Sequence, residues 1–186
     1  MEGLPPHALE AESSLLGSIL IDPTVLNDVQ LILHSADDFF KKANGLIFES
    51  MVELYNQCST VDLVQLQQLV TDRNLLDAIG GIEYLVDVAR SVPSAASATH
   101  YARLVKEKSV VRQLIAAAGE ILQDAYMNPD DPRGILDDAE RRIFSIAQQS
   151  EQRHAETLDQ LLNDAIRQLE ENEGRLITGT STGFPQ

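Results

Sequence analysis

The 186-residue chain carries a net charge of −15, 44% apolar and 5% aromatic residues and no Trp, which allows one aliphatic core with or without a small extension. Its single cysteine, Cys58, excludes an internal disulfide and is expected to be a buried small hydrophobe; the most apolar stretch, LLGSILI, is too short to span a bilayer, so a cytoplasmic protein is expected. Residues 1–100 hold 14 acidic and 4 basic side chains, which excludes a phosphate-neutralising surface there, whereas residues 101–150 hold 8 and 7, and residues 151–186 hold 7 and 3.

Helical periodicity runs through almost the whole chain. Pro5 and Pro6 precede HALEAESSLLGSILI, which places Leu9, Leu16, Ile19 and Leu20 on one face, with Glu10 and Glu12 near the positive helix start. IDPTVLNDVQLIL has Asp22 as N-cap and Pro23 at the first helical position. ANGLIFESMVELYNQ sets Leu46 or Ile47, Met51, Leu54 and Tyr55 in a stripe, and TVDLVQLQQLVTDR does the same with Leu63, Leu66, Leu69 and Val70. GGIEYLVDVARSV follows a Gly pair that ends the preceding helix, and Pro93 stops it. Five or six short amphipathic helices over roughly 4–95 predict a compact globule, assigned to residues 1–98.

A longer pattern follows, assigned to residues 99–150. From Thr99 to Tyr126 the positions Tyr101, Leu104, Lys108, Val111, Ile115, Ala118 and Leu122 recur at helical spacing. NPDDPRG breaks the helix, and a second runs from about Gly134 to Gln149 with Leu136, Ala139, Ile143 and Ile146 or Ala147 in phase. The expected product is an antiparallel hairpin. Leu114 and Ile121 on the first helix, with Ile135 and Phe144 on the second, fall off that seam and leave apolar surface for another molecule to cover. Leu114, Ala118, Ile121, Ile135, Ile143 and Phe144 are therefore the candidate oligomer or partner interface. After the polar SEQRHAE, residues 151–186 form a linker with a third amphipathic helix at about 157–173. Thr157 is its N-cap, and Leu158, Leu161, Leu162, Ala165, Ile166 and Leu169 share one face. An isolated helix of this length is marginal in water, so that face is expected to dock on another surface. The fold class is all-α throughout: globule, hairpin, separate linker helix.

The sequence carries no motif for catalysis or cofactor binding. The sequence has no G-x-x-x-x-G-K-[ST] and no G-x-G-x-x-G, and GTSTG at 179–183 has neither a Lys nor a following helix. Glu151 and His154 form a single E-x-x-H, where a di-iron bundle needs two plus further carboxylates, and the four His share no ligand spacing. The pairs Asp37/Asp38, Asp130/Asp131 and Asp137/Asp138 sit in turns or beside helix starts, where capping and solvation account for them. Arg103, Lys106, Lys108 and Arg112 form a basic cluster, expected to meet neighbouring acidic faces rather than phosphates. No catalytic, cofactor or metal residue is assigned.

Three stretches resemble the amino-terminal region of DnaB-type replicative DNA helicases: LPPHALEAESSLLGSILID, DDFFKKANGLIFESMVELY leading to VDLVQL, and GGIEYLVDVARSVPSAASATHYARLVKEKSVVRQLI. ERRIFSIAQ and the closing ITGTSTGF continue the likeness, which departs from the family at Lys42 and Asn44, where Pro and His are frequent. The resemblance implies the collar of a hexameric ring, self-associating as a dimer or hexamer and docking primase. It also implies that the turn-rich TGTSTGFPQ leads toward a RecA-like ATPase domain holding ATP and Mg. On the same basis the 157–173 helix would pack on the ATPase domain of the neighbouring subunit. A free-standing helical adaptor, such as a helicase loader or the helicase-binding domain of a primase, is the alternative.

With no phosphate-binding loop in these residues, the purified chain should show no ATPase activity above buffer. It should also bind single-stranded DNA poorly at physiological salt, as read by fluorescence anisotropy, because residues 1–100 carry net −10.

Overall fold

The computed structural model describes residues 4–151, and over them the chain is all-helical. The elements are α1 (Leu9–Ile21), α2 (Leu26–Gln30), α3 (Lys42–Cys58), α4 (Leu63–Asp72), α5 (Leu76–Ile79), α6 (Gly81–Ala89), α7 (Ala98–Met127) and α8 (Pro132–Glu151). Among the described residues no helix is long and apolar enough to cross a membrane. The expected linker helix, with Leu158, Leu161, Leu162, Ile166 and Leu169, lies outside them.

Local chemistry sets the element ends. Asp22 caps a 3-10 turn at Pro23–Val25, accepting from the Thr24 amide at 3.0 Å, with Pro at its first turn. The helix expected to run on from there is short, because α2 ends at Gln30 and the chain turns. Asp62 caps α4 through the Gln65 amide at 2.8 Å. Gly80 ends α5 in the left-handed region, φ 95°, which an L side chain adopts only at a cost.

The core is aliphatic, as the composition requires. Leu15, Leu16 and Ile19 from α1 meet Ile47 and Met51 from α3, Leu66 from α4, Leu85 and Val88 from α6, and Ala102 and Val105 from α7. Helix α1 lies at the centre, against α3, α6 and above all α7. Small residues allow the closest approach: a Cβ on Gly17 would stand 2.6 Å from the Val88 carbonyl oxygen and 2.5 Å from Ser91 Oγ. Ser91 Oγ locks that crossing by donating to the Ser13 carbonyl at 2.8 Å.

The globule departs from the sequence expectations at four further points. Ala98, Ala102, Val105, Lys106 and Ser109 are buried, so the first half of α7 packs into the globule that was expected to end at residue 98. Glu12, expected only to favour a helix start, is buried and accepts from the main-chain amides of Phe40 (2.7 Å) and Lys41 (3.2 Å). It thereby serves the start of α3, which has no side-chain cap of its own. Asn44 completes this group, donating to Glu12 at 2.9 Å and accepting from the Tyr84 hydroxyl at 2.6 Å. Cys58 is exposed at the end of α3 rather than buried. Asp38, expected to stay solvated in its turn, is also buried.

Gly17→Ala should destabilise the protein by about 1–3 kcal/mol, because the added methyl meets main-chain oxygen that cannot yield without separating α1 from α6. A lowered urea midpoint with unchanged slope is the expected readout.

Candidate interaction surface

Helix α7 is the one element that belongs both to the globule and to the hairpin, and polar chemistry fixes it to the globule. Lys106 and Asp38 form an ion pair at 2.6 Å, with about 5% of either side chain exposed. The same Asp38 oxygen accepts from Ser109 Oγ at 2.9 Å, and its other oxygen accepts from the His34 amide at 3.0 Å. One turn further, Arg112 donates to the Asp38 carbonyl (2.7 Å) and to the Pro6 carbonyl (2.9 Å). Positions 106, 109 and 112 recur every three residues and so share a face of α7. Arg112 also lies over the Phe40 ring, on which His7 stacks at 4.7 Å, so the amino-terminal segment is pinned to the same place. The Asp37/Asp38 pair is thus split: Asp37 stays exposed in the 3-10 turn at Ala36–Asp38, while Asp38 is desolvated and its carboxylate is made tolerable by three donors, Lys106, Ser109 and the His34 amide. Of the basic cluster, Lys106 and Arg112 turn inward as ion-pair and hydrogen-bond donors, and Arg103 stays exposed.

Beyond Arg112 the hairpin forms. Asp131 caps the start of α8, accepting from the Gly134 amide at 3.0 Å. Arg142 of α8 reaches back to Asp124 (2.7 Å) and Glu120 (3.4 Å) of α7, which fixes the antiparallel pairing and raises the Arg142 pKa, chiefly through the Asp124 hydrogen bond. Ala117 is buried, and Ile121, Ile135, Ala139 and Ile146 are half-buried on the faces carrying this ion pair.

That arrangement corrects the expected seam. Leu122 and Leu136, assigned to it, are 59% and 68% exposed, and Ile115 is 55% exposed, whereas Ile121 and Ile135, assigned outside it, are partly covered. Two adjacent apolar stripes run along α7, and periodicity does not say which one meets α8. The stripe holding the small Ala117 and the acid Asp124 meets α8, because Ala139 and Arg142 lie opposite.

The displaced stripe becomes a surface. On α7, Val111, Leu114, Ile115, Ala118 and Leu122 are rotated by roughly a quarter turn from the seam, at about 100° per residue. Leu136, Ile143 and Ala147 on α8 are rotated from their seam by about the same angle in the same sense. In antiparallel helices equal offsets fall on one side, so the two stripes form a single exposed apolar face. Of the candidate interface residues, this face gathers Leu114, Ala118 and Ile143, all exposed. Ile121 and Ile135 belong to the seam, and Phe144, 63% exposed, stands on the side of α8 away from α7. Among the described residues no group of three or more His, Cys, Asp or Glu side chains is placed to hold a metal ion.

A family model described as the DnaB-like helicase N terminal domain matches residues 4–107. The replicative DNA helicase DnaC of Bacillus subtilis is 37% identical over 98% of this chain and 40% of its own length. The replicative DNA helicase DnaB of Geobacillus stearothermophilus is 36% identical over 100% of this chain and 41% of its own. The chain therefore spans about 40% of the length of these curated relatives. The crystal structure of the N-terminal domain of DnaB helicase from Mycobacterium tuberculosis matches with a TM-score of 0.72 at 32% identity, covering 76% of this chain and 99% of that one. The structure of a DnaB-like replicative helicase, solved for its interactions with primase, shares the fold, with a TM-score of 0.59 at 22% identity over 95% of this chain and 38% of that one.

Lys106→Met should cost about 3–5 kcal/mol, since it strands Asp38 as a buried charge. Arg142→Gln, which breaks a solvent-washed pair, should lower the melting temperature far less. Circular dichroism melts of both variants check the order.

Proposed function

The chain belongs to the family of DnaB-like helicase N-terminal domains, and from that premise we propose that it is the collar of a replicative helicase ring. In this reading the chain assembles with copies of itself and docks primase, while ATP-driven unwinding is carried by other parts of the parent protein. ATP and Mg would be held there, not by these residues. The linker helix expected at 157–173 would seat Leu158, Leu161, Leu162, Ile166 and Leu169 on the ATPase domain of the neighbouring subunit.

One observation carries the reading: the exposed apolar face of the hairpin, on which Ile115, Leu122 and Leu136 are each more than half exposed. Large aliphatic side chains aligned along two paired helices gain roughly 1.5–3 kcal/mol each when fully buried, so a matching surface is favoured to cover them. The occupant best suited is a second copy. A symmetric pairing places the same face on both sides, and residues 101–150 are near neutral, so the hairpins approach without the repulsion that the acidic globules would impose. The anchor at Asp38, Lys106 and Arg112 presents the hairpin in a fixed orientation, which lowers the entropic cost of assembly. Such a pairing creates a composite groove that a single chain lacks, and that groove is the place proposed for primase. A net −10 globule would speed the approach of a basic or amphipathic partner more than it would tighten the complex.

Light scattering should find the wild-type chain oligomeric at high micromolar concentration, and Ile115→Asp with Leu136→Asp should render it monomeric with helicity retained. Phe144→Asp, on the far side of α8, should be less damaging. A monomeric wild type would refute pairing through this face for the isolated chain. In calorimetric titration, the carboxy-terminal domain of the cognate primase should bind the oligomer and bind the monomeric variant much less. Equal affinity for both would place its site within one globule, and binding to neither would remove primase from the partners.

A further inference from the structure

A second surface shares no residue with the hairpin. A cleft of about 440 Å3 lies on α3, between Phe48, Glu49, Val52 and Glu53 and the turn at His34 and Ser35. Its floor is apolar: Phe48 is almost fully buried and packs on Phe39 with ring centroids 5.2 Å apart, and Val52 is half-buried beside it. Its far wall is held in place. The His34 amide donates to the buried Asp38 at 3.0 Å, and Ser35 Oγ accepts from the Asp37 amide at 3.2 Å. A cleft with a fixed wall and floor is preformed, so an occupant does not bear the cost of ordering it.

The rim is acidic. Glu49 is exposed and has no ion partner among the described residues, Glu53 is tied to Arg73, and Asp37 is exposed next to Ser35. No Lys or Arg lines the cleft. Lys41, one of the four basic side chains in residues 1–100, is occupied over the Tyr84 ring at 3.5 Å. A nucleic-acid phosphate would be repelled here, and a second copy of this chain, itself net −15, is poorly matched. An aliphatic or aromatic side chain fits the floor, and a flanking Lys or Arg fits Glu49.

We propose that this cleft docks a basic amphipathic segment of a partner protein, with an apolar anchor on Phe48 and Val52 and a cation against Glu49. The proposal does not depend on the ring reading, because no hairpin residue takes part. The probe is a fluorescein-labelled peptide with Leu and Lys at helical spacing, titrated against the full chain by anisotropy. Glu49→Gln should weaken binding several-fold. Glu83→Gln, the same charge change at an exposed site on α6, should barely alter it. Val52→Asp should abolish it with the helical spectrum unchanged. Equal effects of Glu49→Gln and Glu83→Gln would reduce the binding to general acidity and overturn the proposal. So would undiminished binding of the peptide with Gln in place of Lys, which would mark an apolar site only. If Val52→Asp fails to fold, amide shift mapping on the wild type decides: shifts at Ser35, Glu49 and Val52 on adding peptide support the cleft, and their absence overturns it.

Discussion

The buried contact between Asp38 and Lys106 is the constraint on which the rest of this architecture depends. Two opposite charges taken out of water gain little net free energy by pairing, and their removal from solvent is tolerable only because other donors complete the shell around the carboxylate. Ser109 Oγ and the His34 amide do this, and the Arg112 guanidinium holds the main-chain carbonyl of the same residue. Ser109 and Arg112 lie on the helix that becomes the hairpin, His34 lies at the wall of the α3 cleft, and Arg112 reaches on to the amino-terminal segment at Pro6. A hydrophobic contact of the same size would hold α7 in place without fixing its rotation. Directional hydrogen bonds fix the rotation, and through it the direction in which the hairpin presents its apolar stripe.

Polar groups play a similar part a few residues further along the chain, where Glu12 accepts from the Phe40 and Lys41 amides. Glu12, Asn44 and Tyr84 join α1, α3 and α6 through a chain of hydrogen bonds beneath the Lys41–Tyr84 contact. The aliphatic core supplies most of the burial but little specificity, because Leu, Ile and Val pack in many arrangements of similar energy. The buried polar sites select among those arrangements. Asn44 has both a donor and an acceptor role in this chain of contacts, which an amide side chain fills from one position.

The hairpin shows how one helix serves two environments. Its first half carries small and polar residues inward, Ala98, Ala102, Lys106 and Ser109, so that α1 approaches closely. Its second half carries two apolar stripes, only one of which α8 covers. The other stripe stays exposed, with Ile115 and Leu122 each more than half accessible.

Much of this was legible in the sequence. The helical class, the hairpin and its break at NPDDPRG, the Asp22 cap with Pro23 and the Gly80 stop follow from local pattern: spacing, capping chemistry and turn residues act over a few positions. The family was legible differently, through the resemblance of three longer stretches to it. The fate of Asp38 and Glu12 did not follow, because each is decided by partners distant in sequence, Lys106 for one and the start of α3 for the other. A carboxylate beside a helix start looks the same in sequence whether it caps in solvent or is buried against a lysine. The phase of the hairpin seam was likewise undetermined, since periodicity fixes the angle between stripes but not which stripe faces α8. That choice was made in three dimensions, by the small side chains and the Asp124–Arg142 pair that let two helices meet on one side and leave the other exposed.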